Sequence, residues 1–77
     1  MTIKIYGPGC ARCKQAEKVV RDTVASLGIE ADIQKVEDIQ AMVKAGVLAT
    51  PAIEFDGIVK ITGRVPKPEE IRKALAG

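Results

Sequence analysis

The 77-residue sequence contains no histidine and no tryptophan, and only one phenylalanine, one tyrosine and two cysteines. With so few aromatic side chains the hydrophobic core has to be aliphatic, and the hydrophobic fraction of 47% is ordinary for a folded domain. Zinc usually takes four protein ligands, so two thiols without histidine would need a second chain. Covalent haem needs a histidine directly after a C-x-x-C pair, and that position is Lys14. We therefore expect neither a resident metal nor an organic cofactor.

The sequence also lacks a strong net charge and a long apolar run. A net charge of +2 is too small to indicate a nucleic-acid partner by itself, and no apolar run approaches the roughly 20 residues that span a membrane. Lys4 and Gly7 interrupt the first apolar run early, which argues against a secretory signal peptide. We therefore expect a single cytoplasmic domain over residues 1–77, monomeric and without nucleic-acid or membrane partners.

Both cysteines lie in one short stretch, Gly7-Pro8-Gly9-Cys10-Ala11-Arg12-Cys13. A disulfide that closes so small a loop stabilises a fold by roughly 2 kcal/mol, against about 3 kcal/mol for a fifteen-residue loop. In a reducing compartment a cysteine pair is more often catalytic or metal-binding than structural. The pair is therefore interpreted as reactive, and the two glycines are expected to permit a tight turn.

The C-x-x-C pair falls between a β-type run, residues 2–6, and a helical pattern, residues 11–27. At the start of a helix the unpaired backbone N–H groups and the positive end of the macrodipole favour a thiolate at Cys10. Arg12 and Lys14 add positive charge nearby, and the thiolate is the species that attacks a disulfide. This placement predicts thiol–disulfide exchange.

A soft-metal carrier is the alternative, because two thiolates also suit Cu(I). Domains that resemble copper chaperones are similarly short and carry C-x-x-C between their first strand and first helix. They usually have methionine two residues before the first cysteine, where this chain has Pro8. Their order is βαββαβ and ends on a strand, whereas the patterns of this chain end on a helix.

The hydrophobic patterns predict the α/β order βαβαββα, with a mixed four-stranded sheet and helices on both faces. Strands are expected at about 2–6, 29–35, 52–55 and 58–62, and the last two flank the hairpin signal Asp56-Gly57. Helices are expected at 11–27, from the cap Asp38 to Gly46, and from Pro68 onward. The predicted inward residues of the helices are Cys13, Ala16, Val20, Val24, Leu27, Ile39, Met42, Val43, Ile71 and Leu75.

Two segments carry a family resemblance. The segment Ile5 to Cys13 resembles the active-site segment of glutaredoxins and thioredoxins. Gly46 to Ala52, which contains Thr50-Pro51, resembles the thioredoxin-family segment that ends in a cis-proline. The hairpin, Gly63 and the closing helix follow in the same order, so the resemblance covers nearly the whole chain. It is closest to the small redox-active disulfide proteins, and it implies a thioredoxin-like three-layer α/β/α fold.

The resemblance also implies roles for the two thiols and their partners. Cys10 would attack a substrate disulfide and Cys13 would resolve the mixed disulfide, in electron transfer to protein disulfides. An upstream reductant, either thioredoxin reductase or glutathione, would regenerate the pair. Arg12 and Lys14 would tune the thiol pKa.

Other residues are implied to bind the substrate. Thr50 and Pro51 would form a ledge beside the thiols, where a substrate segment pairs with the Thr50 backbone. Tyr6 would either line this site or pack in the core, and Gly63 would either admit the neighbouring loop or simply end a strand. Many thioredoxins keep a buried acid where this chain has Lys4, so the group that replaces this acid is left open.

Overall fold

A computed structural model describes residues 1–9 and 11–76, so Cys10 and Gly77 lie outside the described residues. The strands are β1 (Thr2–Tyr6), β2 (Asp32–Val36), β3 (Ala52–Phe55) and β4 (Ile58–Thr62). The helices are α1 (Ala11–Ser26), α2 (Ile39–Lys44) and α3 (Pro68–Ala76). This is the predicted order βαβαββα. In the part of the chain that the structure describes, no helix is both long enough and apolar enough to cross a membrane.

The four strands form one mixed sheet in the order β2-β1-β3-β4. β1 and β2 are parallel, as expected for two strands joined by a crossover helix, and Tyr6 lies opposite Val36. β3 runs antiparallel to both β1 and β4. The hairpin turn is made by Asp56 and Gly57, which have φ angles of 48° and 90°. The mixed sheet and the Asp-Gly hairpin are therefore confirmed.

The sheet separates two hydrophobic clusters. Side chains alternate along a strand, so Ile5 joins one cluster and Tyr6 the other. The larger cluster packs α1 and α3 on the sheet through Val20 and Ile71. The smaller cluster packs α2 on the opposite face through Met42. Helices therefore cover both faces, which gives the predicted three layers.

Three residues that were predicted to lie in the core are exposed, so these predictions were wrong. Leu27 is exposed because α1 ends at Ser26, and Thr23 is buried in the last turn instead. Ile39 and Val43 are each 71% exposed. α2 has only six residues, and Ile39 and Val43 share its outer side because residues four apart lie on one face of a helix.

The start of one predicted strand also needs correction, whereas the start of the second helix does not. β2 begins at Asp32 rather than at Ile29, although Ile29 still packs against the larger cluster. α2 begins where predicted, because the Asp38 side chain caps it by accepting a hydrogen bond from the Gln40 N–H at 3.0 Å.

Candidate functional site

The candidate site lies where β1 passes into α1. Gly7, Pro8 and Gly9 form this connection, and α1 begins at Ala11. Cys10, the predicted nucleophile, lies outside the described residues. Cys13 lies in the first turn of α1 and is 2% exposed, as expected for the first residue of the inward stripe.

Cys13 packs directly on the backbone of Gly7. A Cβ atom at Gly7 would lie 2.2 Å from Cys13 Sγ and 3.1 Å from Cys13 Cβ, so only glycine fits. The Gly7 N–H donates to Val36 O at 3.0 Å, which extends the pairing of β1 and β2 beyond Tyr6. Gly7 was expected to permit a tight turn, but its φ is outside the left-handed region. Its role is steric, whereas Gly9, with φ +83°, makes the turn.

The Thr50–Pro51 peptide bond is cis, as predicted. Pro51 is buried and Thr50 half-buried. Thr50 Cβ lies 3.9 Å from the position that a Gly7 Cβ would take, so Thr50 and Cys13 Sγ both lie next to Gly7. The fold therefore brings together Cys13 and Thr50 from distant parts of the sequence.

Gly63 supports the loop that carries Thr50. Its N–H donates to Pro51 O at 2.9 Å. A Cβ atom at Gly63 would lie 3.3 Å from Ala49 Cβ, and the φ of Gly63 is +78°. The close approach and the positive φ both favour glycine. Gly63 therefore holds the Ala49–Pro51 backbone in place, while contact with a substrate stays a prediction.

The Tyr6 side chain is buried on the α2 face, with Met42 and Val47. Its hydroxyl donates a hydrogen bond to Glu54 Oε1 at 2.9 Å. Burial raises the pKa of the Tyr6 hydroxyl, and the hydrogen bond and negative charge of Glu54 raise it further. Tyr6 thus belongs to the smaller cluster, and its contribution to substrate binding stays a prediction.

Arg12 and Lys14, the two residues predicted to tune the thiol pKa, are both exposed in the first turn of α1. This turn contains no acidic residue that would offset their positive charge. Their charges and the positive end of the helix macrodipole therefore act in the same direction at the start of α1. The effect on the thiol itself stays a prediction.

Glu37, for which no role was predicted, also lies at this site. A Cβ atom at Gly9 would lie 3.6 Å from Glu37 Oε1 and 3.7 Å from Oε2. The predicted parallel pairing of β1 and β2 could have indicated this position of Glu37, because residues that follow two parallel neighbouring strands lie at the same edge of the sheet. Among residues 1–9 and 11–76, no three potential metal ligands of the His, Cys, Asp or Glu type lie together.

A buried thiol in the first turn of the first helix, beside a cis-proline loop on a mixed sheet, defines the thioredoxin-like class of α/β proteins. The model of the family described as "Thioredoxin domain" matches residues 1–76. The chain therefore belongs to the thioredoxin family, whose general role is thiol–disulfide oxidoreduction.

The curated relatives that match this chain include two thioredoxins and a probable thioredoxin. A thioredoxin of Methanothermobacter thermautotrophicus is 45% identical over 76 residues, which cover 99% of both chains. A thioredoxin of Methanocaldococcus jannaschii is 37% identical over 97% of this chain and 86% of its own length. A probable thioredoxin of Methanothermobacter marburgensis is 30% identical over 99% of this chain and 95% of its own length. The similarity thus extends over the whole domain.

Proposed function

We propose that this protein is a dithiol–disulfide oxidoreductase that uses Cys10 and Cys13 to reduce protein disulfides. The Cys10 thiolate attacks one sulfur of the substrate disulfide, the substrate S–S bond breaks, and the other substrate sulfur leaves as a thiolate. The Cys13 thiolate then attacks the Cys10 sulfur and displaces the second substrate thiolate. Two electrons pass to the substrate, whose thiolates take up the two protons that Cys10 and Cys13 gave up, and a Cys10–Cys13 disulfide forms.

The observation that carries this proposal is the position of Cys13 Sγ on Gly7 beside Thr50. A buried thiol is poorly accessible to a large disulfide in solution, and it suits a second attack on a neighbouring sulfur. Cys10 is separated from Cys13 by only Ala11 and Arg12, so their order in the chain supports attack by Cys10 and resolution by Cys13.

The loop before Pro51 supports a way of holding the substrate. Leu48 is 98% exposed, Ala49 is exposed, and Thr50 is half-buried beside Cys13. Proline has no N–H, so Thr50 is the last residue of this loop that can offer both backbone hydrogen-bonding groups. An extended substrate segment that pairs with Thr50 would gain main-chain hydrogen bonds as in strand addition.

The partners in this proposal are disulfide-containing proteins and an upstream reductant, either thioredoxin reductase or glutathione. The exchange needs no metal or organic cofactor, since sulfur atoms carry both electrons. A cytoplasmic location belongs to the same proposal, because a reducing compartment keeps the thiol pair reduced. The proposal also includes a monomeric state.

The test is reduction of a disulfide-containing protein by the reduced, chelator-treated chain, with glutathione or thioredoxin reductase as the electron source. We expect turnover with one of these reductants. Cys13→Ser should accumulate mixed disulfides with the substrate, and Cys10→Ser should accumulate none. Lack of reduction by the chelator-treated chain would refute the proposal and leave the Cu(I) carrier, and equal trapping by both variants would refute the order of attack.

A further inference from the structure

Glu37 and Thr50 flank the candidate site from opposite sides. β1 lies between β2 and β3, parallel to the former and antiparallel to the latter. The end of β2 therefore lies on one side of the Gly7–Gly9 connection, and the start of β3 lies on the other. Adjacent strands are about 4.8 Å apart, so roughly 10 Å separates the two flanks.

The Glu37 carboxylate lies against Gly9, the residue bonded to Cys10. Both carboxylate oxygens are 3.6–3.7 Å from the position that a Gly9 Cβ would take. A substrate segment that extends from this site towards β2 therefore passes close to this carboxylate. The exchange chemistry proposed above does not use Glu37.

The negative charge of Glu37 is only partly offset. The Glu37 side chain is 59% exposed, and its Oε1 lies 3.7 Å from Lys35 Nζ. Lys35 lies closer to Glu17, at 3.4 Å, so its charge is shared between two carboxylates. Glu17 also holds Arg21 at 2.8 Å.

Three other charged residues lie on neighbouring elements. The Asp38 carboxylate accepts a hydrogen bond at the cap of α2, and the cations Arg12 and Lys14 are on α1. Glu37 is thus an accessible anion on the β2 flank of the site, opposite the Thr50 loop.

We propose that Glu37 determines substrate specificity, by favouring disulfide-bearing segments that carry lysine or arginine within about three residues of the reacting cysteine. This inference rests on the proposed function. An extended segment rises about 3.3 Å per residue. A segment held at Thr50 therefore spans the roughly 10 Å to the β2 flank in about three residues. A long cationic side chain there can approach both Glu37 oxygens.

The test uses four synthetic peptides, each oxidised to its homodimer disulfide. Lysine or glutamate is placed either two residues before or two residues after the cysteine. For each position, kcat/KM is measured for the lysine and glutamate peptides with the parent protein, Glu37→Gln and Glu37→Lys. The ratio of the two kcat/KM values, compared between proteins, cancels the intrinsic reactivity of each peptide disulfide.

Glu30→Lys provides the matched control. Glu30 is exposed and precedes β2, whereas Glu37 follows it, so the two lie at opposite ends of the strand. The change in net charge is the same, and only the distance from the site differs.

We expect Glu37→Lys to lower the lysine-to-glutamate preference by roughly tenfold in at least one of the two positions at low salt, as Coulomb's law predicts for charges about 7 Å apart in screened water. Glu37→Gln should give about half this effect on a logarithmic scale, high salt should weaken it, and Glu30→Lys should leave the preference unchanged.

If Glu37→Lys and Glu30→Lys change the lysine-to-glutamate preference equally at both positions, the assignment of Glu37 is overturned. The proposed function would still stand in that case, provided that all the proteins reduce the peptides. Failure of the parent protein to reduce any of the four peptides would instead overturn the proposed function, and this inference with it.

Discussion

Replacement of Gly7 by alanine would place a methyl carbon 2.2 Å from Cys13 Sγ. Non-bonded carbon atoms in contact lie about 3.5–4.0 Å apart, so the sulfur or the strand has to move by more than about 1 Å. Neither moves freely, because Cys13 is buried and Gly7 is held by its hydrogen bond to Val36. The perturbation therefore acts at the thiol that we propose as the resolving group.

The magnitude follows from two opposing effects. Overpacking of a buried site costs about 1–3 kcal/mol of folding free energy. Alanine also restricts the unfolded chain, which returns about 0.4–1 kcal/mol where the native φ is compatible. We expect a net loss of about 1–2 kcal/mol, which corresponds to a decrease in Tm of about 5–15 °C for a domain of this size. The displaced sulfur should also resolve mixed disulfides more slowly.

Two assays separate these effects. Urea denaturation of the reduced protein gives the free energy of unfolding, and quenched reactions with a disulfide peptide give the rate at which the mixed disulfide is resolved. Gly28→Ala is the control, because Gly28 also has a special conformation, φ +67°, but a Cβ there meets nothing within 4 Å. Gly28→Ala should lose stability without slowing resolution. A Gly7→Ala protein with unchanged stability and unchanged resolution would refute the packing argument.

Two further predictions concern Tyr6 and Arg12. Because the folded-state pKa of Tyr6 is raised above its usual value of 10.0, its neutral form stabilises the fold below that pH, and this contribution should be lost as the pH rises above it. Tyr6→Phe should therefore lower the free energy of unfolding by about 1–2 kcal/mol at neutral pH, because Glu54 loses its hydrogen-bond donor. In urea denaturation, the difference in this free energy between the variant and the parent protein should shrink above pH 10. A difference independent of pH would contradict this account. Arg12→Glu should raise the pKa of the Cys10 thiol, measured by the ultraviolet absorbance of the thiolate, and an unchanged midpoint would limit Arg12 to solubility.

The elements could be predicted from the sequence wherever local chemistry determines them. The Asp56-Gly57 turn, the Asp38 cap and the alternation of β1 each depend on residues within one short segment. The cis bond at Thr50–Pro51 was predicted only through the family resemblance, since cis bonds are about 5–6% of X–Pro bonds. Local pattern was therefore sufficient for the fold class and insufficient for this feature.

The errors arose where tertiary packing decides. Ile39 and Val43 are apolar and helical as predicted, but a helix of six residues touches the sheet through Met42. The contact between Gly7 and Cys13 and the position of Glu37 at Gly9 depend on the relative placement of α1, β1 and β2. Hydrophobic periodicity describes each element alone and contains no information on such distances.

The sheet order has a consequence for how the chain acquires its activity. β1 pairs with β3, so Tyr6 meets Ala52 and Ile3 meets Phe55 across about two thirds of the chain. Pairing over so long a sequence separation is slow to form, because the loop between the partners must close first. A nascent or partly unfolded chain contains both cysteines but lacks the Thr50 flank. On the proposed function, the selection of partners by the Thr50 and Glu37 flanks begins only when β3 docks on β1.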